Sequence, residues 1–232
     1  MQILPGIHKI DGIKSVNCYL VLNQGKMFVV DTGLPGDARN IANYIKRIGR
    51  RLIDIEYIIL THADIDHVGC AYELKKITGA KIGIHPADEP ILAGKQKFKT
   101  INNFLSPVVG LVISTMHYRP VEPDIHLNDG YRINGWQIIH TPGHTLGSIS
   151  LFQLGRTIFV GDALRTDKNG KPRPVSKRIS LDRAAAQRSI LSIASRDFES
   201  LFPGHGAPII AGGSAEIRQL VASNLYASVD KS

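Results

Sequence analysis

THADIDHVG, residues 61–69, crowds His62, Asp64, Asp66 and His67 together directly after the apolar run YIIL at 57–60. Carboxylates this close repel one another unless a positive charge lies between them. The stretch is therefore either a solvated loop or a place where a cation is expected. Its position favours the cation, because a loop that leaves the end of a buried strand can aim alternate side chains at one point.

Three further stretches repeat the arrangement of apolar strand, small residue and potential ligand. His144 lies in TPGHTLGS after WQIIH, Asp162 in FVGDA after TIFV, and His205 in LFPGHG after ESLF. Each ligand type stands beside a glycine, which permits close backbone approach and positive φ. A single histidine in such a place is unremarkable, but independent loops would not be expected to repeat the pattern. His8, His85, His117, His126 and His140 lack that setting or fall within strands, and they are read as ordinary hydrogen-bonded residues.

Around these stretches the pattern alternates strands and helices. Strands are expected at NCYLVL (17–22), MFVVDTG (27–33), EYIIL (56–60) and AKIGIHP (80–86). Helices are expected at 37–48, where Ile41, Tyr44, Ile45 and Ile48 recur at helical spacing, and at 68–77, closed by Gly79, so that a hairpin is followed by a crossover helix and then by a βαβ unit. WQIIH (136–140), SISLFQL (148–154) and RTIFVGD (156–162) are spaced as strands joined by tight turns. A helix over 181–195, a strand at ESLFPG and a helix over 214–227 complete a mixed α/β plan, with antiparallel strands and helices outside. Residues 87–122 break the rhythm and are expected to form a helical insertion or lid, with Phe104 to Met116 as a lid, a dimer contact or a core helix.

With 232 residues, 43% of them hydrophobic and 21% charged, the chain can bury a substantial core, and one domain over 1–232 is expected. The start shows no basic segment followed by an apolar one, and no apolar stretch is long enough for a membrane helix, so a cytoplasmic protein with no membrane association is expected. Cys18 and Cys70 form no CxxC pattern and are read as small buried hydrophobes. The net charge of +8 suits an anionic partner, but basic residues without interleaved aromatics do not make a nucleic-acid site. Two basic clusters stand out. Lys46, Arg47, Arg50 and Arg51 fall at a helix end, where cations favour the dipole. The stretch 165–178 carries Arg165, Lys168, Lys171, Arg173, Lys177 and Arg178 against Asp167, and reads either as a solvated loop stiffened by Pro172 and Pro174 or as the border of a cleft.

THADIDHVG resembles the HxHxDH signature of the metallo-β-lactamase superfamily, and DTG at 31–33, TPGHT at 141–145, GD at 161–162 and PGHG at 203–206 resemble its other landmarks in their usual order. The resemblance implies a four-layer αββα sandwich and a dinuclear metal site. Carried over by position, His62, Asp64 and His144 would hold one metal and Asp66, His67 and His205 the other. Asp162 would bridge them, and Asp31 would orient the ligands. The metals implied are two divalent ions, zinc first, with iron or manganese left open. The family's usual second histidine is Asp64 here. With it, two divalent cations, three carboxylates and one hydroxide sum to neutrality, and the harder ligand moves preference from zinc toward iron or manganese.

The implied chemistry is hydrolysis by attack of a metal-bridging hydroxide, with Asp66 and Asp162 in the catalytic roles. The chain is too compact for the larger relatives: after His205 only residues 206–232 follow, which is short for the helical glutathione-binding region of a full glyoxalase II. A glyoxalase-II-like hydrolase of a small ester, thioester or lactone is the reading that results. A phosphodiesterase with the same site and an iron-dependent persulfide dioxygenase are the alternatives. Arg165, Arg173 and Lys177 are the candidate residues for gripping an anionic small-molecule substrate. The oligomeric state is left open.

Overall fold

The computed structural model describes residues 1–23, 25–98, 116–174 and 180–229. They divide into two compact units, Met1–Leu127 and Asn128–Ser232.

The first unit is built on a seven-stranded sheet in chain order: β1 (Gln2–Leu4), β2 (Ile7–Lys9), β3 (Tyr19–Asn23), β4 (Lys26–Val30), β5 (Ile55–Ile59), β6 (Lys81–Ile84) and β7 (Ile125–His126). Strands β1 to β4 pair antiparallel, as adjacent short-turned strands can. From β4 to β7 the pairing is parallel, which requires crossovers rather than hairpins. The sheet is thus mixed: the expected hairpin is β3–β4, and the expected crossover helix and βαβ unit give the parallel pairs β4–β5 and β5–β6. Helix α1 (Ala38–Arg47) makes the β4–β5 crossover, burying Ile41, Tyr44 and Ile45, with Lys46 and Arg47 in its last turn as the basic cluster predicts. Met27 and Val29 of β4 join these side chains in one core with Leu20, Ile58, Leu74 and Ile82. Phe28 and Val30, on the opposite face of β4, are buried as well. Each such residue contributes roughly 1.5–3 kcal/mol of apolar burial.

The single helix expected over 68–77 comes in two pieces, α2 (Ile65–Val68) and α3 (Ala71–Thr78). A continuous helix would pair the His67 carbonyl with residue 71. Here that carbonyl accepts instead from the Thr32 backbone N–H at 2.8 Å and the Thr32 hydroxyl at 2.9 Å. The DTG turn after β4 is thereby sewn to the ligand loop. Cys70 donates to the Thr32 carbonyl at 2.8 Å, and both it and Cys18 are buried, as a small hydrophobe would be.

After β6 the chain makes a short helix, α4 (Glu89–Leu92). Of the expected insertion over 87–122, residues 99–115 lie outside the described residues. Its two ends meet: Val121 N–H and the Tyr118 hydroxyl both donate to the Leu92 carbonyl, at 3.1 and 2.7 Å, and the Phe98 and Tyr118 rings pack 4.9 Å apart.

The second unit has a five-stranded sheet in the order β14-β11-β10-β9-β8, formed by β8 (Arg132–Ile133), β9 (Trp136–His140), β10 (Ile149–Gln153), β11 (Thr157–Gly161) and β14 (Ser200–Pro203). β8 to β11 are antiparallel and β14 runs parallel to β11. Helices α5 (Arg183–Ala194) and α6 (Gly213–Val229) bring Ile193 and Ile217 into a core with Phe152, Ile158, Leu164 and Leu201. Asp182 caps α5 by accepting from Ala185 N–H at 2.9 Å.

In its described part the basic stretch is a hairpin, with Lys168, Lys171 and Arg173 exposed: β12 (Leu164–Thr166) pairs with β13 (Pro172–Pro174), with Arg165 opposite Arg173. Asp167 organises its turn, accepting from Asn169 N–H at 2.9 Å and Lys171 N–H at 3.0 Å. Those two donors, with Arg173 beside them, hold the Asp167 carboxyl below the usual carboxylate range. Lys177 and Arg178 lie outside the described residues. Among the described residues, no helix is long and apolar enough to cross a membrane.

Candidate metal centre

In the first unit, β5 delivers its successor loop into a buried setting. His62 and His67 are wholly buried, with ring centroids 3.9 Å apart, while the Asp64 and Asp66 side chains keep 18% and 26% exposure. His62 Nε2 lies 3.6 Å from Asp64 Oδ2, and His67 Nε2 lies 4.0 Å from Asp66 Oδ2.

Asp31, just past β4, anchors this loop. Its carboxylate accepts from Thr61 N–H at 2.8 Å, from the Thr61 hydroxyl at 2.8 Å, and from His67 Nδ1 at 2.8 Å. The Thr61 hydroxyl has one proton, and the carboxylate takes it. Thr61 Oγ1, 3.0 Å from His62 Nδ1, must then accept from that ring nitrogen. Both imidazoles are thereby held as the tautomer whose lone pair sits on Nε2, the form a metal ion needs. To reach these partners Asp31 adopts φ 59°, in the left-handed region that costs a non-glycine residue roughly 1–2 kcal/mol. Such strain persists only where the surroundings over-determine it.

In the second unit the three ligand candidates follow β9, β11 and β14. Asp162 is buried at the end of β11. Its Oδ2 lies 3.6 Å from His144 Nε2 and 3.5 Å from His205 Nε2, so one carboxylate oxygen serves two imidazoles. Here the loops are placed by backbone. Gly143, at φ 134°, lies so close to the start of α5 that a Cβ would stand 2.3 Å from Ala186 N. Gly206, at φ 99°, lies against β12, where a Cβ would stand 2.0 Å from the Thr166 carbonyl oxygen. The Thr166 hydroxyl donates to the Ala207 carbonyl at 2.6 Å, Thr166 N–H to the His205 carbonyl at 3.2 Å, and Ala207 N–H to the Asp167 carbonyl at 3.1 Å. The basic hairpin therefore braces the His205 loop.

The first unit brings together Asp31, His62, Asp64, Asp66 and His67, and the second brings together His144, Asp162 and His205. Of the anion-gripping candidates, Arg173 is exposed and reaches Asp167 at 3.2 Å. Arg165 is half-buried, and no described residue gives it an ion pair. Sequence reasoning missed Thr61 and Thr166. Thr61 stood in the opening stretch, but its role emerges only from counting its one proton, and Thr166 carried no signal beyond its nearness to Asp162.

The donor set of each unit suits a transition-metal ion. Ligands 2.0–2.2 Å from a tetrahedral metal stand about 3.4 Å from one another. The 3.5 and 3.6 Å nitrogen–oxygen separations match that spacing and are long for hydrogen bonds.

The model of the metallo-beta-lactamase superfamily matches residues 11–205. Among curated proteins, the probable metallo-hydrolase YflN of Bacillus subtilis (strain 168) is 28% identical over 225 residues, spanning 88% of this chain and 85% of that one. An N-acyl homoserine lactonase of Bacillus sp. is 26% identical over 179 residues, spanning 66% of this chain and 65% of that one. Among solved structures, the Cronobacter sakazakii metallo-beta-lactamase with an HARLDQ motif gives a TM-score of 0.73 at 22% identity, covering 100% of this chain and 93% of that one. TTHA1623 in a di-iron-bound form gives 0.69 at 24% identity, covering 90% and 96%. The class B3 di-zinc metallo-beta-lactamase LRA-12 from an Alaskan soil metagenome gives 0.66 at 22%, covering 88% and 77%. These likenesses bear out the expected α/β fold, the αββα sandwich of the metallo-β-lactamase type. The family match extends from before DTG to the histidine of PGHG, and by it the chain belongs to the metallo-beta-lactamase superfamily.

Proposed function

We propose that the protein is a dinuclear metallohydrolase of the glyoxalase-II-like kind, cleaving a small ester, thioester or lactone. His62, Asp64 and His144 would hold one divalent metal, Asp66, His67 and His205 the other, and Asp162 would be shared. The observation that carries the reading is the Asp162 oxygen poised 3.6 and 3.5 Å from two imidazole nitrogens, the spacing of ligands around metal ions rather than of hydrogen-bond partners. A pair of divalent metals supplies a nucleophile from water near neutral pH and polarises a substrate carbonyl.

The chain's own residues do the rest. Asp31 and Thr61 keep the lone pairs of His67 and His62 on Nε2. Asp66, with its carboxylate partly open, accepts the proton that the nucleophile releases. Asp64 adds a third carboxylate, which leaves one positive charge of two divalent cations for an anionic nucleophile to balance and weakens the preference for zinc over iron or manganese. The half-buried Arg165 takes an anionic group of the substrate, whereas Arg173 is occupied by Asp167. The lactonase among the relatives favours an acyl substrate over a phosphodiester.

The test is metal-reconstituted protein assayed against lactones, thioesters and phosphodiesters, with oxygen uptake followed on glutathione persulfide. Acyl hydrolysis without oxygen uptake is expected. Cleavage of phosphodiesters alone would overturn the substrate class, and oxygen consumption would replace hydrolysis with persulfide oxidation.

A further inference from the structure

The ligand loop is held from two sides. β5 lies between β4 and β6 in the sheet. From the β4 side, Asp31 accepts from Thr61 N–H at 2.8 Å. From the β6 side, Asp88 accepts from Ala63 N–H at 2.8 Å. Asp88 closes the single 3-10 turn Pro86–Asp88 that follows β6, and is 1% exposed; Ala63 is fully buried. Two buried carboxylates thus grip the N–H groups at positions 61 and 63 of the loop that leaves β5. The Ala63 N–H belongs to the peptide that joins this residue to His62, and Ala63 leads directly into Asp64. Fixing 61 and 63 therefore limits how far the backbone can turn at His62 and on into Asp64.

We infer that Asp88 is a positioning residue for the metal held by His62 and Asp64, acting through the Ala63 peptide rather than by touching the metal. The inference rests on the paired-metal reading above. Ala63 separates the two ligands, so a peptide free to rotate there would move the Asp64 carboxylate relative to His62 Nε2. A buried N–H deprived of its acceptor also favours any rearrangement that lets water reach it.

The experiment uses the full chain with Asp88→Ala, Asp88→Ser and Asp88→Asn. Zinc and manganese affinities are measured by competition with a chromophoric chelator, and protection of the Ala63 amide by hydrogen exchange on the metal-free protein. Asp88→Asn keeps an accepting oxygen at the same reach and is expected to stay within about threefold of wild type. Asp88→Ala is expected to weaken the looser-bound metal about 10- to 100-fold, the usual cost of losing an outer partner of a ligand, and to speed exchange at Ala63. The circular dichroism of the metal-free protein should not change. If Asp88→Ala does not fold, Asp88→Ser, whose hydroxyl is too short to reach, decides in its place. Wild-type affinity in the deciding variant, or equal loss in Asp88→Asn and that variant, overturns the inference. If wild-type protein itself binds neither metal, the paired-metal reading fails, and the inference fails with it; accelerated exchange at Ala63 would then mark only a structural contact.

Discussion

The two units hold their ligands by different balances of side chain and backbone. In the first, buried side chains do the holding: Asp31 gathers Thr61 and His67, and Thr61 passes the constraint to His62. In the second, backbone does most of it: Gly143 and Gly206 let loops lie against α5 and β12, and main-chain carbonyls and amides, with the Thr166 hydroxyl, fasten the His205 loop. Side-chain holding is graded, because each hydrogen bond can be removed singly. Backbone holding is steep, because a Cβ placed inside another residue's van der Waals radius displaces the whole loop. The same kinds of ligand are thus expected to fail differently on mutation.

The largest effect should come from the second unit. Gly206→Ala adds both left-handed strain and a clash with the Thr166 carbonyl, together about 3–5 kcal/mol. Thermal unfolding should show it, along with loss of metal retention; a variant as stable as wild type would refute the backbone account. Asp31→Ala comes next. It strands the Thr61 amide and His67 Nδ1, for about 2–3 kcal/mol, and metal affinity should fall about 10- to 100-fold. Thr61→Val keeps the shape and removes only the relay, so about 1 kcal/mol is expected, with metal affinity falling less than for Asp31→Ala. Equal losses in those two variants would show that the relay to His62 matters as much as the carboxylate itself.

The smallest effects separate the arginines of the hairpin. Arg165→Ala should raise KM about tenfold for an anionic substrate, as loss of a charge-assisted hydrogen bond does, with kcat and thermal midpoint little changed. Arg173→Ala should leave all three unchanged, since its partner Asp167 is already held by two backbone amides. A KM rise in the second variant but not the first would reverse the assignment.

The contrast also explains what could be read from sequence. Strands β3, β5, β9, β10, β11 and β14, helix α1 and the final helices were legible because their apolar residues recur at strand or helix spacing. The ligands were legible because each follows such a strand beside a small residue. The crossover helix and the βαβ unit implied the parallel pairing of β4, β5 and β6, but the addition of β7 was not legible, since a two-residue strand carries no pattern. Nor was the break between α2 and α3, which depends on Thr32, distant in sequence, taking the His67 carbonyl. The hairpin at 164–174 hid behind its charges and prolines: Pro172 and Pro174 argued for a loop, and the pairing of Arg165 with Arg173 sets like charges opposite each other. Thr61, Thr166 and Asp88 are ordinary polar residues until their partners are seen.

Since both kinds of support are proposed to serve one paired-metal centre, the most direct measurement is metal content per chain after reconstitution, for wild type and Asp162→Ala. About two divalent ions are predicted for wild type, and well below one for the variant, because the shared carboxylate is lost to both. Unchanged stoichiometry in Asp162→Ala would contradict the claim.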